Sequence, residues 1–458
     1  MSDIYDLLIV GGGPGGYTAA ERAGRAGLKV LLAERRALGG TCLNEGCIPS
    51  KALLNSAKIF DYAKHGGAYG VNVAGASIDH AAAVARKDKV VGTLVSGVRS
   101  LMRASEVAVV YGEAEILDRS HMRIGADVYE GARMILATGS EPVIPPIPGL
   151  AEALASGFAL TSREILDLRE IPGRLVIAGG GVIGLEMASY FNSAGSEVTV
   201  VEMLPEIGGQ LDPGIAGMLR RIYAKKGVRF ALGTRVTGIR PGAPGSVITE
   251  SGGAETEFAA DKLLLSIGRR PLIKGFGLER LGVAADRGGV MTDGHMMTNV
   301  PGVYAVGDIT GRYMLAHAAY READVAVNHI LGKRDVMRYD AVPSVIYTAP
   351  EAASVGYTEE AARADGIECL TARAPMILSG RFLAENAGVT GSDGVCKLVI
   401  EKNSRRVIGA HVLGSYASEI IVSAGIMIEL QLTAEDAKEI IFPHPTVGEI
   451  IRETIYRF

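Results

Sequence analysis

Four apolar residues in a row, Leu7-Leu8-Ile9-Val10, run into Gly11-Gly12-Gly13, after which the spacing becomes that of an alanine-rich amphipathic helix. A second apolar run over residues 30–33 ends at an acid, Glu34. That order predicts a buried strand, a glycine turn, a helix and a parallel strand, which together make one βαβ unit. The pattern returns at an offset of 168 as Leu175-Val176-Ile177-Ala178-Gly179-Gly180-Gly181, with Gly16 matched by Gly184, Ala20 by Ala188, Val30 by Val198 and Glu34 by Glu202. Register kept over such a distance predicts a duplicated unit.

Between the copies, residues 53–103 carry helical patterning, and residues 107–111 and 134–138 read as short strands. The run Glu141-Pro142-Val143-Ile144-Pro145-Pro146-Ile147-Pro148 is too rich in proline for a helix or a sheet interior and predicts a linker, with a boundary near 150. Leu263-Leu264-Leu265-Ser266-Ile267-Gly268 reads as another buried strand ending in glycine, with a second boundary before Pro271. Val303-Tyr304-Ala305-Val306-Gly307-Asp308 repeats that form, and from residue 342 strands alternate with two helices. The expected architecture is α/β: two tandem Rossmann-like dinucleotide-binding domains at 1–150 and 151–270, a central segment at 271–341, and a C-terminal α+β domain at 342–458.

A length of 458 residues suits about three domains. The 60 glycines, about 13% against a usual ~7%, fit many close backbone turns. With 47 Lys and Arg against 51 Asp and Glu, the net charge of −4 favours neither nucleic acid nor a membrane surface. No stretch reaches the ~18 apolar residues of a membrane helix. The start Met1-Ser2-Asp3-Ile4-Tyr5-Asp6 lacks a basic targeting region, and four cysteines are too few for a secreted disulfide framework. A cytoplasmic protein is expected.

In a βαβ turn the first glycine permits the bend, the second lets backbone approach a pyrophosphate, and the third lets helix pack on strand. These roles fall to Gly11, Gly13 and Gly16 in one unit and to Gly179, Gly181 and Gly184 in the other. Two such matches, each with an acid 23 residues past its first glycine, predict two dinucleotide sites. Glu34 and Glu202 sit where a carboxylate accepts from a ribose diol; the alternative is a solvated strand end. Glu202 also repels a 2′-phosphate, and Met203-Leu204-Pro205 supplies no arginine to bind one, which favours NAD over NADP.

Soon after the first acid comes Gly39-Gly40-Thr41-Cys42-Leu43-Asn44-Glu45-Gly46-Cys47-Ile48-Pro49-Ser50-Lys51. On an ideal helix, residues five apart have Cα atoms roughly 8 to 9 Å apart, beyond the ~7 Å limit of a disulfide. A bond therefore needs a distorted turn, for which Asn44 and Gly46 are suited through left-handed conformations. No second pair completes a zinc site, a structural disulfide over so short a loop adds little, and inert thiols stay open. A redox-active pair beside the first nucleotide is the most economical reading. Cys369 and Cys396 read as buried apolar thiols. His444, between two prolines, is either a base working near neutral pH or a satisfied loop histidine; Thr446-Val447-Gly448-Glu449 fits a capping box. His80 and His121 read as surface or packing residues. No metal site is expected.

The segment 39–51, both glycine fingerprints, Ala137-Thr138-Gly139-Ser140, Val306-Gly307-Asp308 and Phe442-Pro443-His444-Pro445-Thr446 resemble the class I pyridine nucleotide-disulfide oxidoreductases, flavin-dependent disulfide reductases, over essentially the whole chain. Within them the likeness is to the branch acting on dihydrolipoyl groups. The resemblance implies FAD at the first unit, against Gly11, Gly13, Pro14, Gly15, Gly16, Glu34, Gly40, Thr41, Lys51, Ala114, Thr138 and Gly139. Asp308 would hold the ribitol, and Met314-Leu315-Ala316-His317 would line the flavin, so that segment 271–341 completes the FAD site. It implies NAD at Gly179, Gly181, Val182, Ile183, Gly184, Glu186, Glu202, Val236 and Gly268. It makes Cys42-Cys47 the redox pair, makes His444 of the partner subunit the base, oriented by Glu449, and makes Lys51 and Glu186 an ion pair beside the flavin; an ordinary helix salt bridge is the alternative for that pair.

The implied assembly is a homodimer, through 342–458, serving a lipoylated carrier domain of a 2-oxo acid dehydrogenase, glycine cleavage or related complex. Glutathione reductases typically carry Lys-Lys at Ser50-Lys51 and use arginines absent near Glu202. Two positions depart from the pattern: Glu45, often valine, and Ala349, often histidine.

Overall fold

The structure, a computed structural model, describes residues 4–391 and 393–458. Met1-Ser2-Asp3, half of the N-terminal run read above, lie outside the described residues. The chain forms two compact units, one of residues up to Ala52 with Val84–Val143 and Gly268–Arg338, the other of Leu53–Ala83, Ile144–Ile267 and Tyr339–Phe458.

The first unit is built on a five-stranded parallel sheet with Leu7–Val10 at its centre, flanked by Val30–Glu34 and Met134–Leu136 and closed by Ala108–Tyr111 and Val303–Ala305. The central strands are buried residue by residue, which is why they read as continuous apolar runs and not as alternation. The crossover helix Pro14–Arg25 packs against Ala316–Ile330. An antiparallel meander of Ala114–Ile116, His121–Ile124 and Asp127–Glu130 is appended.

The second unit repeats the theme. Arg174–Ala178 lies between Glu197–Val201 and Lys262–Leu265, and the pairing Leu7↔Val30 of the first sheet recurs as Leu175↔Val198. The offset seen in the sequence is thus also the register of the two sheets. A three-stranded antiparallel sheet, Arg235–Arg240, Gly245–Ser251 and Ala254–Ala260, follows. The C-terminal part is a five-stranded antiparallel sheet in the order Ser344–Ile346, Glu351–Gly356, Val407–Gly414, Val395–Glu401, Cys369–Pro375, with Ala417–Glu429 against it.

Three expectations are corrected here. The proline-rich linker begins as a strand: Ser140–Pro142 pairs with Arg269–Pro271 in a two-stranded ribbon, where proline interrupts no larger ladder. The C-terminal part holds five α-helices among the described residues and not two, because four of them span only six or seven residues and leave no periodicity to read. Cys396 is buried, but Cys369, at a strand end, is only half-buried; burial pushes the Cys396 thiol up to about 12. Among the described residues no helix is long and apolar enough to cross a membrane, and no group of three His, Cys, Asp or Glu could hold a metal ion.

Candidate functional site

The two glycine turns share one steric logic. Gly11 and Gly179 have φ of 104° and 106°, and a Cβ there would lie 2.3 Å from the Ala137 carbonyl oxygen and 2.4 Å from that of Ser266. A Cβ at Gly16 would fall 1.8 Å from Gly11 O, and one at Gly184 2.0 Å from Gly179 O, so helix and strand touch only because both lack side chains. The middle glycines differ: a Cβ on Gly181 would meet nothing within 4 Å, and one on Gly13 only the Gly40 Cα at 3.8 Å. Pro14 and Val182 open helices whose caps, Gly13 and Gly181, offer no side-chain acceptor. That leaves room and amide donors for a pyrophosphate at each turn, the latter including the peptides of Gly15 and Ile183.

The acids do more than the sequence suggested. Glu34 accepts the Gly12 N–H at 2.7 Å and the Arg36 N–H at 2.7 Å. Glu202 accepts those of Gly180 at 2.6 Å and Leu204 at 2.7 Å. Each carboxylate staples its glycine turn to the following strand end, fixing the orientation of its remaining lone pairs.

The cysteine segment abuts the first turn: Gly39 N–H donates to Gly12 O at 2.8 Å. Left-handed φ occurs at Gly39 (96°) and Gly40 (55°), not at Asn44 or Gly46, which corrects the expected turn. Helix Gly40–Glu45 instead breaks at Gly46, with φ −152° and ψ −105°, and Cys47–Lys64 starts anew. Asn44 donates to the carbonyls of Leu38 and Gly40, at 3.1 and 2.9 Å. Thr41 stands between Gly40 and the first cysteine.

Cys42 and Cys47 are half-buried free thiols. The hydrogen bond shared with Cys47, burial and the negative charge of Cys47 push the Cys42 thiol up, and the Lys51 ammonium opposes them. Glu45 is ion-paired with Arg36 at 2.7 Å. Tyr17 and Tyr320 hydroxyls meet at 2.8 Å, and both phenols are pushed up, first by burial and further by charge at the two cysteines. No sequence signal linked these tyrosines to the pair.

Asp308, half-buried, stands in the turn after the strand Val303–Ala305 of the same sheet. Ser140 Oγ donates to its Oδ2 at 2.5 Å and accepts from Arg269 Nε at 2.8 Å. Burial pushes the Asp308 carboxyl up, and Ser140 and Arg269 pull it back. Gly307 N–H, next to Asp308, is held by the buried Glu322 at 2.6 Å. Thr138 Oγ1 donates to Leu272 O at 2.8 Å, and Gly139 O accepts from Leu272 N–H at 2.9 Å. Met314 and Leu315 lead into helix Ala316–Ile330, whose first residues are Ala316 and His317. Ala114 starts the meander strand Ala114–Ile116.

In the second unit, Glu186 is 3% exposed and accepts the Tyr347 N–H at 3.1 Å. Val236 lies on Arg235–Arg240, while Gly268, with φ 115°, belongs to the first unit. Lys51 belongs to the first unit and Glu186 to the second. His444 faces the Glu449 carboxylate through Nδ1, at 3.0 Å, with its side chain 78% exposed. A carboxylate only accepts, so the neutral ring carries its proton on Nδ1 and its lone pair on Nε2, toward solvent. The Thr446 N–H bond, followed by His444, holds the Glu449 carboxyl down against burial. The expected capping box is half formed: Thr446 N–H donates to Glu449 Oε2 at 2.8 Å, but Thr446 Oγ1 turns to Pro443 O and the helix starts only at Glu449.

Residues 5–323 match the family described as pyridine nucleotide-disulphide oxidoreductase, and residues 342–455 its dimerisation domain. The chain is 40% identical to a dihydrolipoyl dehydrogenase of Chlamydia muridarum, over 99% of this chain and 97% of that one. It is 37% identical to a leghemoglobin reductase of Glycine max, over 99% and 87%. Among solved structures, the HOCl-induced flavoprotein disulfide reductase RclA of Escherichia coli matches at 29% identity with a TM-score of 0.87, and LpdA of Mycobacterium tuberculosis at 26% with 0.89, each over 99% of both chains.

Proposed function

Because the chain belongs to the pyridine nucleotide-disulphide oxidoreductase family, enzymes that use FAD and NAD, we propose that it oxidises protein-bound dihydrolipoamide and reduces NAD, as a dihydrolipoyl dehydrogenase. Residues 1–150 and 271–341 would build the FAD site, 151–270 the NAD site and 342–458 the two-fold contact of a homodimer. The partner is a lipoylated carrier domain of a 2-oxo acid dehydrogenase, glycine cleavage or related complex.

The observation that carries this reading is the thiol pair beside the first glycine turn, where Gly39 N–H donates to Gly12 O and Cys42 shares a hydrogen bond with Cys47. In such a pair one sulfur can be attacked by a substrate thiolate while the other leaves as thiolate, which is the division of labour a disulfide exchange needs. His444 Nε2 of one subunit takes a proton from a substrate thiol, and Glu449 steadies the resulting imidazolium. The substrate thiolate attacks Cys42 Sγ, breaking the Cys42–Cys47 bond and releasing Cys47 as thiolate. The second substrate thiol then closes the cyclic disulfide and expels Cys42, which recovers the first proton from His444 while His444 takes up the proton of that second thiol. Bound FAD supplies the two-electron path from the Cys42-Cys47 dithiol to NAD. Lys51, one helical turn past Cys47, keeps positive charge near the thiolate, and Glu186 belongs to the NAD side.

The test is NADH formation from dihydrolipoamide and from purified lipoylated domains, set against glutathione disulfide reduction. Turnover with glutathione and none with dihydrolipoyl substrates would overturn the reading. Nucleotide choice gives a second expected result. Glu202 is pinned by two peptide N–H groups and cannot swing away from a 2′-phosphate. A desolvated like-charge contact then predicts kcat/KM for NAD about a hundredfold above that for NADP; equal efficiencies would remove Glu202 as the discriminator.

A further inference from the structure

Glu186 receives a backbone N–H from an unexpected direction. Tyr347 lies just past the strand Ser344–Ile346, far along the chain from helix Val182–Ala194, yet its N–H is aimed at the Glu186 carboxylate. Two residues later the Ala349 N–H donates to the Tyr223 hydroxyl at 3.0 Å, and that hydroxyl donates to Ser189 Oγ at 2.7 Å. The Ala349 carbonyl is held as well, by Lys226 Nζ at 2.6 Å. Thr348, between them, turns its hydroxyl to Pro350 O at 2.7 Å.

The spacings match. The Tyr347 and Ala349 N–H groups, two residues apart, meet Glu186 and Ser189, three apart on one helix face. Tyr347 reaches that face directly; Ala349 reaches it through the Tyr223 hydroxyl. The bridge works only if the phenol both donates and accepts, and burial, which pushes Tyr223 up to about 12, keeps it protonated across the working range. Ala349 serves through its peptide groups alone, so the arrangement asks nothing of its side chain.

We infer that Tyr223 is a positioning residue for Glu186: by pinning the 347–349 segment to Ser189 it sets the Tyr347 N–H on the carboxylate and so fixes the acid that faces NAD. The inference rests on the proposed reading of Glu186 as an NAD contact. Without the bridge the peptide slides along the helix and the carboxylate reorients, while the thiol chemistry of the other unit is untouched.

The test uses the FAD-loaded holoenzyme. Tyr223→Phe should raise KM for NAD about fivefold or more and slow reoxidation of the reduced flavin by NAD in rapid mixing. KM for dihydrolipoamide and the rate of flavin reduction in the absence of NAD should stay at wild-type values. A general loss of structure would move both halves together. Ser189→Ala removes the other end of the bridge and should reproduce the split, and the double variant should be no worse than either single one. Glu186→Gln is the reference: unchanged NAD kinetics there overturn the assignment of Glu186 and the inference with it. Impaired Glu186→Gln beside normal Tyr223→Phe and Ser189→Ala overturns the inference alone.

Discussion

A Cys42→Ser variant is expected to keep a long-wavelength absorption band, from a thiolate beside oxidised flavin, while losing dihydrolipoamide turnover by at least about a thousandfold. Cys47→Ser is expected to lose both. The asymmetry follows from the pair's electrostatics. The shared hydrogen bond and burial hold the Cys42 thiol up, while Cys47 opens the helix Cys47–Lys64, whose N-terminal end favours a thiolate there. A serine at position 42 keeps a hydroxyl donor for the Cys47 thiolate, and Lys51 keeps its positive charge nearby, so the thiolate persists without its exchange partner. A band that survives only in Cys47→Ser would reverse the two roles.

The parts of this molecule that were legible in its sequence are those where one residue type is sterically forced. Gly11 and Gly16 must be glycine because a carbonyl stands where a Cβ would go, and the same carbonyls recur at Gly179 and Gly184. Hence the offset of 168 survives in residue identity, in strand register and in the paired acids. The cysteine pair was legible through its unusual spacing, although the backbone break fell at Gly46 in an extended φ and not in left-handed turns.

What stayed hidden was made by side chains that meet only after folding. Ser140 and Asp308 are 168 residues apart and Tyr17 and Tyr320 303 apart, and neither serine nor tyrosine is required by its local backbone. The staples from Glu34 and Glu202 were half visible: the acids were read for a ligand, while their contacts to Gly12 and Gly180 depend on how tightly each strand end folds back. The half-formed capping box shows the limit from the other side. Thr446 has the right spacing, but its hydroxyl donates to the Pro443 carbonyl instead of accepting from the Glu449 N–H, a choice between two local partners that spacing cannot decide.

The proposed dimer makes the sharpest demand on His444. In that arrangement the base of one subunit serves the Cys42-Cys47 pair of the other, and the dimerisation-domain match over 342–455 gives the contact its place in the chain. His444→Ala alone should cut turnover on the order of 10²- to 10⁴-fold, since general base catalysis is removed while the thiols remain. Cys47→Ser alone should be inactive. When the two variants are mixed in equal amounts, dissociated and reassociated at random, half of the dimers carry one chain of each kind. In such a dimer the site with intact cysteines meets the intact histidine, and the other site lacks both. Roughly a quarter of wild-type activity should therefore return. If cysteines and histidine worked within one chain, each mixed dimer would hold one site without its thiol and one without its base, and nothing would return. Mixed dimers identified by mass and yet without activity would count against the shared site, and would leave the thiol chemistry of Cys42 and Cys47 standing with some base other than the partner's histidine.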